Sequence, residues 1–409
     1  MLTGRHFLFV PGPTNVPDRV LRAMHVPMED HRSVFFPKLS EPLFAQLKRL
    51  YKTEAGRVFM YPGSGTAAWE AAISNTLSPG DRVLCPRFGQ FSHLWADMAE
   101  RLGLDVAAPE LEWGDGIDEV WLEQQLRADA AHAIKAVLVC HNETATGVVN
   151  DLPAIRKAMD AAGHPAMLFV DAVSSLGSID LCFDQWRIDA CITGSQKGLM
   201  MPAGLGFLAL SPRALAASKS STMRRCYFDI NDMMRNNDTG YFPYTPPLPM
   251  LYGLRDALAM IEEEGHDNVI ARHYRLAEGV RAAVTDGWGM RPAANQPRWY
   301  SNTVTAVQIP RGIDGSMIVK RAATEYNLAL GAGLSKFAGK VFRIGHLGDL
   351  NDLMLCAAIS GAEMAMRDVG IAVEPGSGVA AAVHRWEALK GLIANPGADK
   401  RGRRIAAVA

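Results

Sequence analysis

The stretch Leu168-Phe169-Val170-Asp171-Ala172-Val173-Ser174-Ser175-Leu176-Gly177 decides the fold. An apolar run stops abruptly at a carboxylate, and small polar residues follow. Such a run is too short for a helix and reads as a strand buried on both faces. In open α/β sheets ligands bind at the carboxyl ends of strands, so Asp171 stands where chemistry is expected. A buried carboxylate needs a cation or several donors; a helix cap or turn acceptor is the alternative role. The next apolar run, Ala190–Thr193, leads into Gly194-Ser195-Gln196-Lys197-Gly198. A lysine held between apolar strands loses water, which lowers its pKa and makes its amine a better nucleophile toward a carbonyl. An ordinary solvated lysine is the alternative.

Outward from this point the same alternation continues. Strands are expected at Val58–Tyr61, Arg82–Cys85, Ala136–Cys140, Met167–Val170 and Gly206–Leu210, with helices at Ala67–Leu77, Ser92–Leu102, Val120–Ala128 and Leu152–Ala161. Trp69, Ile73 and Leu77 share one helical face. Strands alternating with helices imply an α/β fold with a mostly parallel sheet covered on both sides. Upstream, the first sixty residues carry Pro11, Pro13, Pro17, Pro27, Pro37 and Pro42. They read as an extended arm with short helices such as Asp18–Met24, because proline breaks longer elements. Downstream, Leu251, Leu254, Leu258 and Ile261 mark a helix that Gly265 interrupts and Val269–Val284 resumes. A second α/β region follows, with strands Thr303–Ile309 and Val341–Gly345 and helices Gly315–Tyr326 and Asn351–Arg367. The expected division is an N-terminal arm (1–20), a large domain (21–260), a small C-terminal α/β domain (261–389) and a basic tail (390–409). The tail contains Lys400-Arg401-Gly402-Arg403-Arg404 and reads as loose.

Composition narrows the functional classes. The chain has 42 basic and 43 acidic side chains, a balance that gives no support to a nucleic-acid or membrane-surface partner. No apolar run approaches the length of a membrane span, and the N-terminus lacks a signal-peptide core. The six cysteines form no C-x-x-C pair and read as reduced thiols. A soluble, cytoplasmic enzyme is expected. His93, His141 and His346 lack ligand spacing, so no metal is expected.

A third signal is Tyr61-Pro62-Gly63-Ser64-Gly65-Thr66 ahead of the Ala67–Leu77 helix. A strand, a Gly/Ser/Thr turn and a helix N-terminus make an anion site, because free N–H groups and the helix dipole favour a phosphate. Gly63, Gly65 and Ala68 also match G-x-G-x-x-A, and a plain glycine turn with a Thr cap stays open. The dinucleotide reading lacks its acid: Asp81 precedes the next strand instead of ending it. A Rossmann dehydrogenase would also leave Lys197 without a role. Together the three signals match the needs of pyridoxal phosphate. Its phosphate wants a helix N-terminus, its aldehyde a lysine, and its ring nitrogen a carboxylate.

Further stretches carry a resemblance. They are Phe9-Val10-Pro11-Gly12-Pro13-Thr14-Asn15, Glu29-Asp30-His31-Arg32-Ser33, Arg87-Phe88-Gly89-Gln90-Phe91-Ser92-His93-Leu94-Trp95 and His141-Asn142-Glu143-Thr144-Ala145-Thr146-Gly147. Later in the chain come Gly194–Gly198, Tyr241-Phe242-Pro243-Tyr244-Thr245-Pro246-Pro247, Lys340-Val341-Phe342-Arg343-Ile344-Gly345-His346 and Pro375-Gly376-Ser377-Gly378-Val379. The chain resembles the class V, fold-type I pyridoxal-phosphate aminotransferases, most of all those of the serine–glyoxylate kind. That resemblance implies a large domain with a seven-stranded type of sheet, a smaller C-terminal domain, and a homodimer or dimer of dimers with shared active sites.

It also implies roles. Lys197 would hold the cofactor as a Schiff base and shuttle a proton, and Asp171 would pair with the ring nitrogen. Phe91 would stack on the ring and Val173 would pack on its other face. Ser64, Gly65, Thr66 and Gln196 would hold the phosphate, and Thr144 would approach the ring hydroxyl. Tyr244 and Thr245 would reach the phosphate of the neighbouring subunit. Arg343 would bind the substrate carboxylate, with His31 and Arg32 at the mouth of a partner site. The implied reaction is L-serine plus glyoxylate to hydroxypyruvate plus glycine, with aspartate or alanine as alternative donors. A cysteine desulfurase would need a loop cysteine, and residues 327–339 contain none.

Overall fold

The computed structural model describes residues 4–390. All of the basic tail beyond Lys390 lies outside the described residues. In chain order the strands are β1 (Phe7–Phe9), β2 (Arg57–Gly63), β3 (Arg82–Leu84), β4 (Asp105–Ala107), β5 (Ile134–Cys140), β6 (Asn142–Glu143) and β7 (Val148–Val149). They continue with β8 (Met167–Asp171), β9 (Ala190–Gly194), β10 (Gly204–Leu210), β11 (Val304–Gln308), β12 (Leu328–Ala332) and β13 (Val341–Gly345).

Seven strands form the large sheet in the order β2-β10-β9-β8-β5-β3-β4. All its pairings are parallel except those of β10, which runs antiparallel to both β9 and β2. The carboxyl ends of β2, β5, β8 and β9 therefore meet at one edge. The register sets Cys140 beside Asp171, and Asp171 beside Ile192. Side chains alternate across the sheet, and both faces are buried. Val137 and Val139 of β5 enter the core that holds Leu43, Leu47 and Leu254, whereas Ala136 and Leu138 enter the one that holds Trp69 and Trp95. In that second core the two indoles stack 5.7 Å apart between the helices Gly65–Thr76 and Gln90–Arg101.

The smaller sheet has the order β1-β12-β13-β11. Residues 7–9 of the expected arm are an edge strand of it, parallel to β12, with Phe9 buried among Phe342, Ile344 and Leu355. A second departure is the helix Pro37–Leu50, which corrects the expectation that proline would interrupt this region. Pro37 occupies the first turn, where its missing N–H is harmless. Pro42 sits inside the helix, and it is tolerated because Leu39, Leu43, Leu47 and Leu50 bury one continuous face. The helices Leu248–Glu264 and His266–Ala282 meet at Gly265, whose φ of +88° suits glycine.

Candidate active site

Lys197 follows β9 in a tight turn and is 9% exposed. Burial lowers its pKa to about 8, with the Arg343 charge adding to the effect and Asp171 and Glu143 opposing it. Its Nζ donates to the Pro11 carbonyl, and its own carbonyl accepts from Thr14 Oγ1 at 3.2 Å. Gly12 lies against the lysine stem, where a Cβ would overlap it. The N-terminal segment thus forms one wall around the amine.

Asp171 ends β8 and is buried. Burial raises its pKa to about 6. Its Oδ1 accepts from Val173 N at 2.8 Å and its Oδ2 from Cys140 Sγ at 3.7 Å. Both bonds, with the charge of Lys197, favour the ionised form against the burial penalty.

Ser64 caps the helix Gly65–Thr76 in an extended conformation without a side-chain bond to it, so the first-turn N–H groups stay available. A Cβ on Gly65 would overlap Val173 Cγ2, and one on Gly194 would lie 3.2 Å from Gly65 N and 2.8 Å from Gln196 Oε1. Gly65, Val173 and Gln196 are therefore brought together. The Gln196 amide oxygen is buried without a hydrogen-bond partner among the described residues. Thr66 is exposed at the same helix start.

Arg343 projects from β13 of the small sheet and is buried. Its Nε donates to Ala332 O at 2.8 Å and its Nη1 to Thr144 O at 2.9 Å. Two backbone carbonyls fix the guanidinium plane and leave the Nη2 side of the fork free of recorded bonds. Burial lowers its pKa to about 10, so the group stays cationic near neutrality. The Thr144 backbone thereby joins Arg343. Phe91 sits in the first turn of the helix Gln90–Arg101, packed against both cores of the large sheet.

Tyr244 and Thr245 are exposed and line a shallow groove with Tyr61 and Pro62; the Tyr244 ring stacks on Tyr227. Arg32 is exposed and His31 half-buried, and no recorded contact joins either to the Lys197 group. Four residues absent from the sequence-based set belong to this site by contact: Pro11, Thr14, Cys140 and Glu143. Glu143 had a signal in its own right, an acid between Asn142 and Thr144 after a buried strand. Pro11 and Thr14 lay in a stretch that carried the resemblance, but nothing in it pointed to Lys197, because their contacts arise from packing across the whole chain.

The family model of the class-V aminotransferases matches residues 6–337. The chain belongs to the class-V aminotransferases. It is 59% identical over 384 residues to the serine–glyoxylate aminotransferase of Methylorubrum extorquens, covering 93% of this chain and 95% of the relative. It is 48% identical over 385 residues to the L-aspartate–glyoxylate aminotransferase of Paracoccus denitrificans, covering 94% and 97%. The crystal structure of the ureidoglycine–glyoxylate aminotransferase of Bacillus subtilis superposes with a TM-score of 0.86 at 27% identity, covering 95% of this chain and 99% of that one.

As class-V aminotransferases do, the chain uses pyridoxal phosphate. The residues present fit that group. An uncapped helix start and an unpartnered buried amide suit its phosphate, a buried carboxylate suits its ring nitrogen, and an amine with a pKa near 8 suits its aldehyde. Among the described residues no cluster of His, Cys, Asp or Glu could hold a metal ion, and no helix is long and apolar enough to cross a membrane.

Proposed function

We propose that this class-V aminotransferase moves the amino group of L-serine to glyoxylate, giving hydroxypyruvate and glycine. One observation carries the reading: among the described residues Lys197 is the buried lysine, in one site with the buried Asp171 carboxylate and Arg343 guanidinium. The high identity to a serine–glyoxylate enzyme over nearly the full length supports serine as the donor.

When bound, pyridoxal phosphate supplies a carbonyl for the amino group and a ring that accepts the electrons left at Cα. Lys197 Nζ, partly neutral near pH 8, would take the proton from the substrate Cα and return it to the cofactor's former aldehyde carbon, on the far side of the shared nitrogen. Asp171 holds the proton on the ring nitrogen, which keeps the ring an electron sink. Arg343 orients the substrate carboxylate through its free fork side, a geometry that lysine would not reproduce. Ser64, Gly65, Thr66 and Gln196 would hold the phosphate, Phe91 and Val173 would flank the ring, and Thr144 would approach the ring hydroxyl. Glyoxylate has no side chain, and the Pro11–Gly12 wall against Lys197 suits so small an acceptor.

The working unit is a cytoplasmic homodimer. Exposed Tyr244 and Thr245 reach the partner's phosphate, and His31 and Arg32 face the mouth of its site. The test is a donor panel of serine, alanine and aspartate with glyoxylate fixed, each followed by single-turnover loss of the cofactor's visible band. Serine ahead by about tenfold, ~1.4 kcal/mol of transition-state discrimination, supports the reading. Aspartate ahead would overturn serine as donor and call for a second cation, with His31 and Arg32 the first to change. No response to any donor overturns the activity.

A further inference from the structure

We infer that Glu143 is a positioning residue for the transamination, one buried carboxylate that fixes the backbone of Phe91, adjoins the Thr144 carbonyl that holds Arg343, and serves as counter-charge to the site's cations. The inference rests on the aminotransferase reading above.

The geometry starts at the β6–β7 hairpin. Glu143 ends β6 and is fully buried. Its Oε2 accepts from Phe91 N at 2.9 Å and Ser92 N at 3.0 Å, and its Oε1 accepts from Ala145 N at 3.1 Å. The carboxylate therefore lies under the N-terminus of the helix Gln90–Arg101, where the backbone presents free N–H groups. The chain makes room for it: Gly89 is the residue before that helix, and a Cβ there would overlap the Glu143 Cγ. The two loops that Glu143 ties together both reach the site. One carries Phe91. The other carries Thr144, whose carbonyl accepts Arg343 Nη1 at 2.9 Å.

The charged groups around Glu143 come from three other elements. Asp171 ends β8, Lys197 follows β9, and Arg343 lies on β13; the Cys140 thiol ends β5. Burial lowers the pKa values of Arg343 and Lys197, and the charge of Glu143 works against that in both. Burial raises the pKa of Glu143 itself to about 7, opposed by its three N–H bonds. A purely structural acid would carry only the hydrogen bonds. The negative charge of this one also favours the protonated amine at Lys197, behind burial, Arg343 and Asp171 in weight.

Two variants separate charge from reach. Glu143→Gln keeps the length and removes the charge. Glu143→Asp keeps the charge and shortens the reach. On the loaded enzyme the visible band is titrated with pH, because its midpoint reports the proton at Lys197 Nζ. Losing a nearby negative charge makes that proton easier to lose. Glu143→Gln should therefore move the midpoint down by roughly half a unit or more. Glu143→Asp should leave the midpoint near wild type but weaken cofactor retention by about tenfold, measured by equilibrium dialysis after resolution. A midpoint that stays in place or rises in Glu143→Gln overturns the counter-charge, and wild-type retention in Glu143→Asp overturns the clamp. Should either protein fail to fold, Gly89→Ala displaces the same carboxylate with its charge intact and must weaken retention, or the inference falls. A wild-type protein that never develops the band indicts the parent reading instead.

Discussion

Lys197 loses most of its hydration, and the consequence is a definite pH window. Its folded pKa lies below the ordinary lysine value, at about 8, so the neutral amine appears as pH rises through that value. The rate at which cofactor-free enzyme captures pyridoxal phosphate should climb through pH 8 and level off above it, followed by growth of the visible band. A flat rate from pH 6 to about 9 would contradict the buried-amine reading. Arg343→Lys removes the planar fork and the bonds to Ala332 O and Thr144 O together. We expect KM for both amino acid and glyoxylate to rise ~10–100-fold, about 1.4–2.8 kcal/mol, with a smaller change in kcat. At this scale the sequence was informative wherever a polar residue ended an apolar strand, as at Asp171 and Lys197. It marked the stretch holding Pro11 and Thr14 but not their partner, since no local pattern links residue 11 to residue 197. The fixed plane of Arg343 was also hidden, because it depends on one carbonyl from the end of the neighbouring strand β12 and another from Thr144, just after β6.

Among the elements, buried strands were the most legible. Continuous apolar runs placed β5, β8 and β9 to within about two residues. Short strands such as the edge strand β4 (three residues) and the inner strand β12 (five residues) were too brief to stand out. The antiparallel direction of β10 has no signature in its own residues; it follows from the sharp return between Lys197 and Gly204. The helix Pro37–Leu50 was masked by its prolines, although its leucines repeat at helical spacing. That helix supplies its own test. An interior proline costs ~3 kcal/mol, and its restriction of the unfolded chain recovers up to about 1. Pro42→Ala should therefore stabilise the protein by about 2–3 kcal/mol, read as a higher urea midpoint with an unchanged slope.

For the whole molecule, the segment leading into that helix bears on assembly. Met28, Val34 and Phe35 are 71%, 78% and 67% exposed within eight residues, a density of bare apolar side chains unusual for a free surface. In the proposed homodimer they cover the partner. Burying one Phe contributes about 1.5–3 kcal/mol, and two-fold symmetry counts it twice. Phe35→Asp should weaken the dimer by roughly 10²–10⁴-fold in Kd, visible as monomer by sedimentation velocity at micromolar protein. A wild-type protein that sediments as a monomer would refute the assembly.

The pairing of β1 with β12 carries a consequence for synthesis. Residues 7–9 leave the ribosome about 320 residues ahead of their hydrogen-bonding partners, residues 328–330. At ~5–20 residues per second, the opening segment waits roughly 15–65 seconds for the strand it must join. Until then neither the small sheet nor the Pro11–Gly12 wall around Lys197 can close. The newborn chain can assemble most of its large sheet while still tethered, but it becomes able to retain its cofactor only after residues 328–330 have emerged. Peptide tags fused at the start of the chain would burden that late step more than tags fused at the end.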